Sequence, residues 1–185
     1  MISVTEMRKG TIVELDGELY RVLEYQHHKP GRGNAIIRTK LRNLRSGATI
    51  ERTFTSGDRV QDVRLDHHTV QFLYKDGDLY YFMDLETFEQ PALPAEILDD
   101  AVNYLTEGVT VELETYQGEP IAIELPTTVD LKVIEAEPGF AGDTAASATK
   151  QVTVETGLKV QVPLFINEGD VIRIDTRDGS YVTRV

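Results

Sequence analysis

The chain has 185 residues, 41% hydrophobic and 27% charged, a composition of a soluble globular protein and a length that admits one large domain or two to three small ones. It has no cysteine, which excludes disulfides, thiolate metal sites and a cysteine nucleophile. The formal net charge of −12 argues at first against a nucleic-acid partner, whose phosphates call for a positive surface.

The start, Met1-Ile2-Ser3-Val4-Thr5-Glu6, lacks the basic and then apolar order of a signal peptide. No apolar run approaches the roughly 20 residues that a membrane span needs, so a cytoplasmic location without a membrane partner is the default expectation. Residues 11–15 and 18–24 flank Asp16-Gly17, a dipeptide that favours a primed hairpin turn. Residues 21–25 and 35–41 can then form the arms of a second hairpin, holding Lys29-Pro30-Gly31-Arg32-Gly33-Asn34 at its tip. Gly31 and Gly33 permit positive φ and leave no Cβ to obstruct a ligand, and Arg32 supplies five donors suited to phosphate or base edges. An ordinary solvated turn has the same composition.

After the tip, Arg38, Lys40 and Arg42 alternate with Ile37, Thr39 and Leu41, so one face of a strand carries three cations. It is either a surface for RNA phosphates or the solvated face of a barrel strand. Further hairpins follow: residues 70–74 with 79–84 across Asp76-Gly77-Asp78, residues 109–116 with 121–125 across Gly118, and residues 171–176 with 181–185 across Gly179. One helix is expected after Pro94, because Ile97, Leu98, Ala101, Val102 and Leu105 recur on one face and Gly108 follows as a stop. The fold class is therefore all-β, built from small barrels.

Charge divides the chain. Residues 1–65 hold 12 Lys/Arg against 8 Asp/Glu, residues 66–127 hold 1 against 14, and residues 128–185 hold 6 against 9. With the sign change near Leu65 and an apolar strand stopping at Pro126, the expected domains are 1–65, 66–127 and 128–185. A weak repeat supports two barrels of one kind: Gly108-Val109-Thr110-Val111 leads to Gly118, and Gly169-Asp170-Val171-Ile172 leads to Gly179 at the same spacing.

No constellation for catalysis stands out. His27-His28 and His67-His68 are adjacent pairs whose side chains point to opposite faces of a strand, and the chain has no phosphate loop, dinucleotide fingerprint or zinc spacing. Neither a cofactor nor a metal is expected, and binding is the expected class.

The stretch Lys150-Gln151-Val152, followed by Gly157-Leu158-Lys159-Val160-Gln161-Val162-Pro163-Leu164-Phe165-Ile166-Asn167-Glu168-Gly169, closely resembles the C-terminal signature of the bacterial elongation factor P family. Val63-Arg64-Leu65, Phe82-Met83-Asp84, Thr87-Phe88-Glu89-Gln90 and Gly142-Asp143-Thr144 extend the resemblance over the whole chain; Val152 departs from the signature's usual alanine. The resemblance implies an N-terminal SH3-like (KOW-type) barrel followed by two OB-fold barrels, arranged as an L that mimics transfer RNA, with acidic surfaces standing in for its phosphates.

It also implies a monomer that enters the 70S ribosome between the peptidyl and exit sites, beside the CCA end and acceptor arm of the peptidyl-tRNA. There it restores peptide-bond formation when consecutive prolines stall it. Arg32 matches the tip position that reaches the reaction centre. Many members carry there a lysine that an enzyme extends, and others carry arginine, which some bacteria rhamnosylate; Arg32 argues against the lysine-type extension and makes an arginine-modifying enzyme a candidate partner. Gly142, Asp143 and Thr144 match a loop near the exit-site codon on the small subunit, although the same residues make a good turn. The alternative is a generic OB-fold binder of single-stranded nucleic acid, whose stacking aromatics Phe72, Tyr74, Tyr80, Tyr81 and Phe82 would then lie in the acidic middle segment.

Overall fold

The computed structural model describes residues 1–138 and 148–185. Contacts divide them into two compact units, one of residues 1–66 with 115–121 and the other of residues 67–114 with 122–185.

In the first unit a six-stranded sheet comprises β1 (Ile2–Ser3), β2 (Ile12–Leu15), β3 (Glu18–His28), β4 (Ile36–Asn43), β5 (Thr49–Thr55) and β6 (Arg59–Asp62), in the order β1-β6-β2-β3-β4-β5. Asp16 (φ 52°) and Gly17 (φ 81°) make the expected primed turn between β2 and β3. A short 3-10 turn at Val4–Glu6 was not anticipated, although Ser3-x-x-Glu6 spells its cap. Ser3 Oγ accepts from the Thr5 amide and the Ser3 amide donates to Glu6 Oε2. The turn drives Val4 and Met7 into a core with Val13, Val22, Ile37, Leu41, Phe54 and Val60.

Two further sheets share one topology. One joins β7 (Asp66–Asp76), β8 (Leu79–Asp84), β9 (Ala92–Pro94), β10 (Thr110–Tyr116) and β11 (Glu119–Glu124) in the order β11-β10-β7-β8-β9. The other joins β12 (Thr128–Ala136), β13 (Thr149–Val154), β14 (Lys159–Pro163), β15 (Val171–Asp175) and β16 (Tyr181–Arg184) as β16-β15-β12-β13-β14. Each first strand therefore pairs with the second on one side and the fourth on the other. β14 also approaches β16, which curls the last sheet into a barrel.

The likeness extends to single bonds. The Gly108 amide donates to Phe72 O as the Gly169 amide donates to Val133 O, and the Phe72 amide donates to Val109 O as the Val133 amide donates to Asp170 O. Directly after those residues each first strand is bulged, at Leu73 and at Ile134. The weak glycine repeat is thus the trace of a repeated barrel.

The segment after Pro94 differs from the single expected helix. It forms one α turn, α1 (Ala95–Leu98), breaks at Asp99 (φ 49°) and continues as a 3-10 helix over Asp99–Tyr104. A three-residue repeat aligns Leu98, Ala101 and Tyr104. Leu98 and Ala101 enter the core of the middle barrel, whereas Tyr104 enters the core of the last one, and this divided burial overrides the α-helical period. Burial, and then the carboxylates of Asp100, Asp178 and Asp175, push the Tyr104 phenol above its ordinary pKa. Thr156 Oγ1 donates to Asn103 O at 2.6 Å beside it.

Gly179 stands at φ 76°, and a Cβ there would lie 3.1 Å from Tyr104 Oη. Gly179→Ala should therefore destabilise the protein by about 1–2 kcal/mol, combining left-handed strain with crowding of the phenol. Urea unfolding measures this, and Tyr104→Phe in the same background should recover only the crowding part.

Candidate nucleic-acid interface

The expected hairpin is present and longer than its sequence signal. β3 and β4 pair antiparallel out to His28 and Ile36, leaving residues 29–35 as the tip loop. Arg32 is exposed there and has no hydrogen bond, ion pair or ring contact among the described residues. Lys29, Gly31, Gly33 and Asn34 are also exposed, and Pro30 is half-buried at the base of the loop. The two glycines differ in role. Gly33 stands at φ 98°, a conformation that favours glycine, whereas Gly31 does not use the positive φ that it permits. A Cβ at either would meet nothing within 4 Å.

The strand alternation expected for β4 is observed: Ile37, Thr39 and Leu41 are buried, while Arg38, Lys40 and Arg42 lie on the outer face. Thr39 tolerates burial because its Oγ1 donates to Arg52 O at 2.8 Å. What stands beside the cations depends on a bulge in β3. Val22 pairs with Leu41 but Glu24 pairs with Lys40, so Leu23 is an extra residue and the pleat changes parity there. Tyr25 consequently turns inward to join Val22 against the core, and Glu24 and Gln26 turn outward beside Lys40 and Arg38.

The three cations are therefore not equivalent. Lys40 lies between Glu24, whose Oε1 is 3.8 Å from its Nζ, and Glu51 on β5. Arg38 lies between the neutral Gln26 and Thr53 and has no ion-pair partner among the described residues. Arg42 is opposite Arg21, a cation on the same face that sequence reasoning missed because its register depends on the bulge. A shallow cavity of about 270 Å³ opens over Gln26, Arg38, Lys40 and Thr53.

Of the other expected site residues, Gly142, Asp143 and Thr144 lie outside the described residues. No cluster of His, Cys, Asp or Glu among the described residues could hold a metal ion. No helix among them is long and apolar enough to cross a membrane.

Known proteins match this arrangement along its length. Residues 3–60 match the elongation factor P KOW-like domain, residues 65–123 the elongation factor P OB domain and residues 129–184 the elongation factor P C-terminal region. The elongation factor P of Moorella thermoacetica is 53% identical over 184 residues, which cover 100% of each chain. The chain belongs to the elongation factor P family. It is thus a translation elongation factor and not an enzyme, built of an SH3-like KOW barrel, an OB barrel and a further C-terminal barrel. Among solved structures, eukaryotic translation initiation factor 5A from Methanococcus jannaschii matches with a TM-score of 0.54 and 24% identity, over 68% of this chain and 90% of that one. At that identity the likeness concerns the fold. In this elongation factor P family member the tip loop and basic face both belong to the KOW-like part.

The geometry separates the two tip glycines by experiment. Gly31→Ala should change stability by less than about 0.5 kcal/mol, as open surface positions do. Gly33→Ala should cost roughly 1 kcal/mol through left-handed strain. Denaturation midpoints of the two variants check the difference, and equal midpoints would show that the loop relaxes freely around Gly33.

Proposed function

We propose that this elongation factor binds the ribosome between the peptidyl and exit sites and speeds peptide-bond formation at consecutive prolines by ordering the CCA end of the peptidyl-tRNA. The observation that carries the reading is Arg32, an exposed guanidinium without a partner among the described residues, held beyond the paired arms of the longest hairpin in the KOW-like barrel. Such a group costs the fold little and stays available to a ligand. Proline is a poor acceptor and donor, so the reacting ends spend too little time aligned. Restricting the CCA end lowers the entropic part of the barrier, and about 1.4 kcal/mol is worth tenfold in rate.

In this reading the chain acts as a cytoplasmic monomer with functional parts near 1–65, 66–127 and 128–185. Arg38, Lys40 and Arg42 hold phosphates of the tRNA acceptor arm or of ribosomal RNA. Arg32 is a candidate substrate for an arginine-modifying, rhamnosylating enzyme. Gly142, Asp143 and Thr144 take the exit-site codon contact that the family resemblance implies.

Arg32→Ala should leave stability within about 0.5 kcal/mol of the unaltered protein yet remove most rescue of consecutive-proline synthesis. Arg32→Lys keeps the charge but loses the planar fork and any sugar on it, so it should fail nearly as badly. Translation of a proline-run reporter at equal protein level is the measurement; normal synthesis by Arg32→Ala would overturn the assignment of the tip.

The neighbours of the basic face give a second test. Arg38→Gln should weaken ribosome binding and lower the slope of log affinity against log salt by about one, the signature of one lost phosphate contact. Lys40→Gln should do less, since Glu24 and Glu51 already offset its charge. Pelleting with ribosomes across a salt series distinguishes the two, and equal small effects would make this face merely solvated.

A further inference from the structure

On the outer face of the middle barrel, Tyr74 of β7 and Tyr81 of β8 are cross-strand partners with rings stacked at 4.6 Å between centroids and 15° between planes. Tyr74 is 50% exposed although it is a large aromatic. The fold does not require this pair, and the last barrel supplies the control. There the same topology, with its bulge at the same place, puts Glu135 opposite Thr153 at the corresponding positions. An identical strand pair therefore forms with a hydrophilic couple where the middle barrel spends two aromatic side chains at the surface.

The surroundings limit what can cover the pair. Asp76 and Leu79 are the next facing couple along the strands, and Leu79 is also exposed. Gln71 and Met83 are the facing couple on the other side of the pair. Residues 66–127 contain 14 carboxylates and a single Lys/Arg, Lys75, whose ammonium already lies 5.4 Å from the centroid of the Tyr80 ring. An RNA strand stacking a base here would bring its phosphates against those carboxylates. A planar cation meets both features at once, because guanidinium stacks on aromatic faces and carries the charge that Asp76 and the acidic segment attract.

We propose that the Tyr74–Tyr81 stack is a docking platform for an arginine-bearing protein segment, its guanidinium laid on an outer face of the ring pair with Asp76 beside it. The site shares no residue with the tip loop.

The test uses the intact chain with ring-labelled tyrosines, observed by NMR and titrated with a short peptide of alternating arginine and glycine, with its lysine counterpart, and with single-stranded oligouridylate RNA. The Tyr74 and Tyr81 signals are assigned by their loss in Tyr74→Thr and Tyr81→Thr, and Tyr20 and Tyr181 serve as references. The arginine peptide should shift the Tyr74 and Tyr81 rings saturably and more strongly than the lysine peptide. The double threonine variant should bind the arginine peptide roughly fivefold or more weakly. Ring shifts produced by RNA but not by the arginine peptide, no shift at these two rings, or undiminished binding by a folded double variant would each overturn the proposal. Should the double variant fail to fold, the ring shifts of the unaltered chain decide.

Discussion

A β-strand alternates its side chains with a period of two, so a single inserted residue exchanges the faces of everything beyond it. Leu23 is that residue in the long hairpin of the KOW-like barrel. Before it, Val22 faces Leu41 in the core; after it, Tyr25 takes the inward place and Glu24 and Gln26 turn out to meet Lys40 and Arg38. Without the insertion Glu24 would be carried toward the core, where an unpaired carboxylate is costly. The bulge also increases the local twist of the hairpin whose end carries Arg32. The core, the charge pattern of the outer face and the path to the tip all depend on it.

The same device recurs in the second unit, where Leu73 and Ile134 are the extra residues of two first strands. Each bulge directly follows the residue whose carbonyl accepts from the glycine opening the fourth strand. A strand that must pair with its second neighbour on one side and its fourth on the other has to coil, and a bulge supplies that bend. The two barrels thus share a backbone solution while differing freely in surface chemistry. That freedom makes the stacked tyrosines informative.

Charge is organised at two scales. Over whole segments the chain is basic at first and acidic in the middle, which no single strand reveals. Over a few ångströms the basic face is mixed, because Glu24 and Glu51 flank Lys40 while Arg38 stands between neutral neighbours. Under the proposed function a phosphate ligand would respond to both, approaching the basic segment through its field and settling at Arg38.

The amino-acid order by itself determined the all-β class, the hairpins at Asp16-Gly17 and Gly179, the repeated glycines of the two alike barrels and the cationic tip around Arg32. These are legible because turn chemistry and alternation act between residues close in the chain. The alternation of Arg38, Lys40 and Arg42 was legible for the same reason. Only the tertiary structure decided that the segment after Pro94 breaks at Asp99, since Tyr104 is drawn into a core formed by strands far along the chain. It alone decided that Arg21 joins the basic face, that Lys40 is offset by Glu24 and Glu51, and that Tyr74 and Tyr81 stack. Each of these follows from cross-strand register, and register turns on single bulged residues that carry no signature of their own in the sequence.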